Sequence, residues 1–102
     1  MPAYLVAGND VTDLESMQKY AEAVGPTLEG YDVKLIAPAP DKVATGGDVI
    51  HKEGDFKPSR VVILEFANMQ QLQDWYHSPA YQEIIDLRLN GSEGSLMFVD
   101  GD

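Results

Sequence analysis

At 102 residues the chain is about the size of one domain, and it carries 17 acidic against 7 basic side chains, a formal net charge of −10. That balance argues against nucleic acid, whose phosphates need a basic footprint to displace counterions, and against an anionic membrane surface. No cysteine is present, which removes disulfides, thiolate catalysis and Cys-based zinc or iron–sulfur centres together.

Met1-Pro2 leads directly into Ala3-Tyr4-Leu5-Val6-Ala7, too short for a signal-peptide core and without a basic start. No apolar run approaches a membrane span, so the cytoplasm is the default expectation. Ala3 to Ala7 reads as a buried strand, closed by Gly8-Asn9-Asp10. Thr12 and Glu15 have the spacing of a capping box. Leu14, Met17, Ala21, Val24 and Leu28 follow as one helical stripe, with a kink or break expected at Gly25-Pro26 and a stop at Gly30.

Asp32 to Ala37 is the second strand, ended by Pro38, Pro40 and Asp41. Gly46-Gly47 marks a turn before a short strand at Val49-Ile50-His51. Ser59 to Phe66 is the best strand of the chain. Asn68 opens the next helix with Gln71 as its reciprocal partner, and Met69, Leu72, Trp75 and Tyr76 form its apolar face. Ser78-Pro79 starts another helix, Ser78 as cap and Pro79 at its first position. Tyr81, Ile84, Ile85 and Arg88 share its inner side, Asn90-Gly91 ends it, and Gly94 to Val99 is the last strand.

The order predicts one α+β domain over 1–102, a ferredoxin-like βαββαβ fold with a four-stranded antiparallel sheet and helices on one face. Ala3 to Ala7, Val61 to Leu64 and Leu96 to Val99 are apolar on both parities, whereas a sheet wetted on one side should alternate. Each exposed Val or Leu would forgo about 1.5–3 kcal/mol of burial. A second copy laid symmetrically on the bare face is the expected cover.

Two strings carry a family resemblance: Glu53-Gly54-Asp55-Phe56-Lys57-Pro58-Ser59-Arg60, running on to Phe66, and Trp75-Tyr76-His77-Ser78-Pro79-Ala80-Tyr81-Gln82-Glu83-Ile84, followed by Leu87-Arg88. With Val11-Thr12-Asp13, Tyr20 and Pro26, nearly the whole chain resembles the bacterial "domain of unknown function 1330" family of the dimeric α+β barrel superfamily. The resemblance implies the ferredoxin-like fold and the face-to-face homodimer, and it implies no reaction. The family's usual Gly-Gly-Arg strand and Arg-Gly-Gly turn are altered here. Lys34 stands near the first arginine, Thr45 precedes Gly46-Gly47, and Pro38 to Val43 reads as an insertion.

Glu65 shares the parity of Val61 and Ile63 on the most apolar strand. It is the candidate catalytic carboxylate, either a general base with a raised pKa or a structural acceptor paired to Arg60, Arg88, a tyrosine hydroxyl or a backbone amide. His77 is the second catalytic candidate, read as an acid/base, a haem ligand or a surface or capping residue. Trp75, Tyr76 and Tyr81 are core aromatics or stacking contacts to a ligand. Arg60 and Arg88 either clamp a carboxylate or neutralise Glu65 and surface acids. His51 stands without ligand spacing, and no metal motif, phosphate loop or cofactor signature appears.

The expected function is a small-molecule-binding or structural homodimer needing no cofactor. The alternatives are a cofactor-independent monooxygenase or isomerase acting on a small aromatic or polyketide-like substrate, and haem degradation, which would need an axial ligand.

Overall fold

The computed structural model describes residues 1–101. Strands β1 (Ala3–Val11), β2 (Val33–Ala37), β3 (Arg60–Phe66) and β4 (Ser92–Asp100) form one antiparallel sheet in the order β2-β3-β1-β4. Helix α1 (Leu14–Thr27) joins β1 to β2, and α2 (Met69–Tyr76), α3 (Pro79–Gln82) and α4 (Ile85–Gly91) join β3 to β4. This is the ferredoxin-like βαββαβ arrangement, its second crossing made in three short helical pieces.

Strand alternation decides what the helices cover. Ala3, Leu5 and Ala7 of β1 and Val62, Leu64 and Phe66 of β3 point to one side. There they pack with Met17 and Tyr20 of α1, Leu72 and Trp75 of α2 and Tyr81 of α3. Trp75, Tyr81, Phe66, Met17 and Leu72 are fully buried, so this layer holds the core.

Several local expectations are corrected. β1 does not end at Ala7: Gly8 pairs with Val61 and Ser95, and Asn9 with Arg60 and Gly94. Ladder pairing on both sides overrides the turn composition of Gly8-Asn9-Asp10. The N-cap of α1 is Asp13, whose Oδ1 accepts from the Ser16 amide at 3.2 Å. The Thr12 and Asp13 amides both donate to the Gly91 carbonyl (2.8 and 3.1 Å), so Thr12 has no free amide for Glu15 to reach back to and the expected capping box does not close. The helix runs through Pro26 and ends one residue later, where the missing donor costs little because no further turn depends on it. Asn68 caps α2 by accepting from the Gln71 amide at 2.8 Å, but the Gln71 side chain accepts from the Asp32 amide instead of reaching back. Ser78 caps α3 with Pro79 in its first turn. The short strand at Val49–His51 does not form. Residues 43–59 contain no strand or helix, and His51 is exposed. Three residues between a glycine pair and a charged run are too few to sustain a ladder.

Among the described residues, the other side of the sheet carries no helix. Cross-strand register lays out three rows on it: Lys34, Glu65, Tyr4 and Val99; Ile63, Val6 and Met97; Val61, Gly8 and Ser95. Met97 and Val99 are 45% and 44% exposed. The loop before β3 crosses one end of this face, and a Cβ on Gly8 would stand 3.0 Å from the Phe56 ring.

Asp10 pins that loop. Its Oδ1 accepts from the Ser59 amide at 2.8 Å, and this bond to the charged carboxylate holds its pKa below the ordinary value. A depressed carboxylate contributes stability above its unfolded pKa and loses it as pH falls through the folded value. The segment entering β3 is therefore expected to loosen in acid, read as a lower protection factor for the Ser59 amide once the intrinsic pH dependence of exchange is divided out. Asp10→Asn should flatten that pH dependence, and an unchanged profile would refute the assignment. Among the described residues, no helix is long and apolar enough to cross a membrane.

Candidate functional site

Between the sheet and α1 lies a cleft of about 220 Å³. Its floor is Leu5, Ala7, Val62, Leu64 and Leu96 on the sheet, its walls are Tyr20 and Val24 of α1 and Leu28 at its C-cap with Trp75 of α2, and Pro40 and Val43 close one side. The lining follows from sequence in a simple way. The inward parity of three strands meets the i, i+4 stripe Tyr20, Val24 and Leu28. The segment Pro38 to Val43, which reads as an insertion, is part of the wall.

Arg60 sits at the inward end of β3 and lines this cleft although it is only 1% exposed. Its Nε donates to the Val43 carbonyl (2.7 Å) and its Nη1 to Asn9 Oδ1 (3.0 Å). Asn9 Nδ2 donates to Ser92 Oγ (2.9 Å), and Ser92 Oγ donates to the Arg88 carbonyl (2.8 Å). Arg88, 8% exposed, donates from Nε to the Tyr81 hydroxyl (3.2 Å), which is 2.9 Å from the Tyr20 hydroxyl. The chain of hydrogen bonds thus leads from the cleft through Arg60, Asn9, Ser92, Arg88 and Tyr81 back to the cleft at Tyr20.

Among the described residues, neither guanidinium has a carboxylate partner. Burial lowers the pKa of Arg60, and the like charge of Arg88 adds to this. At Arg88 burial also opposes the charge, but Tyr81, then Tyr20 and Tyr76, outweigh it and hold the pKa above the ordinary arginine value. Burial likewise pushes the Tyr20 hydroxyl well up, reinforced by Tyr81, so Tyr20 is a neutral phenol with a hydrogen to donate.

Of the residues singled out from sequence, Arg60 and Trp75 line the cleft, while Tyr81 and Arg88 stand behind Tyr20. Trp75 is 1% exposed, donates Nε1 to Thr27 Oγ1 (3.0 Å) and packs against Tyr81 with ring centroids 4.2 Å apart and the planes tilted by 43°. Tyr76 is elsewhere: it packs edge-on to Phe98 and lines a shallow surface hollow with Leu96, Met97 and Phe98. Glu65 is not in the cleft, because its odd parity turns it to the helix-free face. There it accepts from the Tyr4 hydroxyl (3.2 Å) and borders a depression with Lys34 and Asp32. Of the partners expected for Glu65 the tyrosine hydroxyl is the one found; pairing with Arg60 is corrected by the same alternation, which sends Arg60 and Glu65 to opposite sides of β3, and Arg88 bonds to Tyr81 instead. His77 is the exposed C-cap of α2, packed edge-on against Tyr76. The two catalytic candidates therefore lie on opposite sides of the sheet.

Sequence reading missed Asn9 as a site residue and gave Tyr20 no role in the site. A polar Asn on the inward parity of β1 was the available signal.

Gly46 seats Arg60. Its φ of +79° suits glycine, and a Cβ there would lie 2.8 Å from Arg60 Cα and 3.0 Å from its Cβ. Gly46→Ala is expected to destabilise the fold by about 1–3 kcal/mol through backbone strain and this collision. Urea denaturation checks it, and a wild-type midpoint would contradict the packing described.

The profile of the family described as "Domain of unknown function (DUF1330)" matches residues 2–102. The chain belongs to this family. Among solved structures, a protein of unknown function from Rhodopseudomonas palustris superposes with a TM-score of 0.74 at 15% identity, covering 99% of this chain and 82% of its own. SnoaB, a cofactor-independent oxygenase from Streptomyces nogalater, gives 0.61 at 5% identity over 99% and 93%. A conserved protein from Methanosarcina mazei gives 0.59 at 16% identity over 100% and 94%. At such identities the likeness is one of fold. No curated protein matches the chain.

Proposed function

We propose that this DUF1330 chain works as a cytoplasmic homodimer whose subunits each bind a small molecule in the cleft between sheet and α1. The cleft carries the reading: a space far larger than one water, walled by apolar side chains with Arg60 and Tyr20 as its ionisable lining, has the make-up of a ligand site. Of the chain's carboxylates and imidazoles, none in the described residues lines it. A catalytic role resting on likeness to SnoaB thus has no general base at this cleft, and binding is the function the geometry supports best.

The dimer half of the proposal rests on the helix-free face. Its central row is Ile63, Val6 and Met97, and across the three rows the charges are Lys34 and Glu65, one of each sign. The acidic Asp10 and Glu93 pair one row further out. In a chain of net charge −10 this formally neutral apolar patch is where a second copy meets the least repulsion.

Trp75 is the single tryptophan of the chain, so its fluorescence reports on the cleft directly. A fragment screen should return compounds that raise the melting temperature and change this emission in step. Stabilisers that leave Trp75 silent would place binding elsewhere and overturn the proposal.

A further inference from the structure

The two buried guanidiniums raise a question that an apolar binding cleft does not answer. The chain has 17 acidic side chains, yet Arg60 and Arg88 are buried against amide, carbonyl and hydroxyl partners only. An ionised group in the interior is costly unless paired. From Arg60, two N–H groups are committed, to Val43 and Asn9, and the remaining donors have no partner among the described residues. We infer, resting on the cleft reading above, that the ligand is a monocarboxylate with a compact apolar body, its carboxylate against Arg60 and Tyr20 and its body along Trp75, Leu5 and Val62.

The chemistry of the lining selects this class. A planar guanidinium fork matches a carboxylate in two-point geometry. Asn9 and the Val43 carbonyl hold the fork at fixed orientation, so little side-chain freedom remains to be lost when the anion arrives. Because Arg88 Nε already donates to the Tyr81 oxygen, the Tyr81 hydrogen is free to point to Tyr20. With Tyr81 donating, the Tyr20 hydrogen is left over as a second donor for an incoming anion. A phosphate dianion would need more donors than one guanidinium and one phenol, whereas the aliphatic and indole walls suit an apolar body.

Paired probes test this at neutral pH: phenylacetate against phenylacetamide, and hexanoate against hexanamide, titrated into the whole chain by calorimetry with Trp75 emission alongside. The acids should bind about 10- to 100-fold tighter than their amides, the range expected of a charge-assisted pair. Arg60→Gln should erase most of that preference, lowering the affinity for the acids far more than that for the amides. Tyr20→Phe should reduce it by about 3- to 10-fold and keeps the comparison usable if Arg60→Gln does not fold. Inorganic phosphate should not displace phenylacetate. Equal binding of acids and amides at Trp75, or displacement by phosphate, overturns the carboxylate assignment and leaves the cleft reading standing. If neither acids nor amides disturb Trp75, the cleft reading falls and takes the assignment with it.

Discussion

Ile63→Asp is expected to turn a dimer into a folded monomer. Ile63 stands beside Val6 in the middle row of the helix-free face, and it is only half-buried within its own subunit, so the change should leave the subunit's fold in place. Twofold symmetry puts each substitution into the interface twice. Two carboxylates stripped of water beside Val6, Met97 and their symmetry mates cost several kcal/mol, enough to weaken association by about 1,000-fold or more. Sedimentation velocity at micromolar concentration reads the result. A wild-type protein that sediments as a monomer, or an Ile63→Asp variant that still dimerises, would show that this face is not the interface.

The second large effect is expected at Trp75. The indole is buried under α1 and α3, with ring centroids 4.2 Å from Tyr81 and 5.5 Å from Phe66, and its Nε1 is satisfied by Thr27. Trp75→Ala removes this packing and leaves Thr27 Oγ1 without its donor, a loss of about 3–5 kcal/mol. For a domain of this size that is about 12–30 °C in melting temperature, and a large share of a total stability of about 5–15 kcal/mol. Circular dichroism with urea measures it independently of tryptophan emission. A loss under about 1 kcal/mol would mean the wall of the cleft is not packed as described.

Much of this architecture is legible in the residues themselves. The run Arg60 to Phe66 and the caps at Asn68 and Ser78 are written locally, and local rules found them. The apolar residues on both parities of β1, β3 and β4 are what motivates the proposed cover of the helix-free face. What stayed hidden depends on groups distant in sequence. The capping box of Thr12 and Glu15 does not close, since the Thr12 amide is held by Gly91, 79 positions away, and Asp13 caps α1 instead. Gly8-Asn9-Asp10 continues a strand because two neighbours pair with it. At the site, parity alone divided Arg60 from Glu65, and counting from a buried Arg60 would have sent Glu65 to the helix-free face. The partners of Arg60 could not be found in that way, since Asn9 and Val43 reach it from another strand and from an irregular loop.

Most depends on where a ligand sits. The direct measurement is a two-dimensional NMR titration of the isotopically labelled chain with phenylacetate. Shifts are expected to gather on the Trp75 indole, Leu5, Ala7, Val62, Leu64 and the Arg60 side chain. Shifts confined to Tyr4, Lys34, Glu65 and Met97 would put the ligand on the opposite face of the sheet and contradict the account.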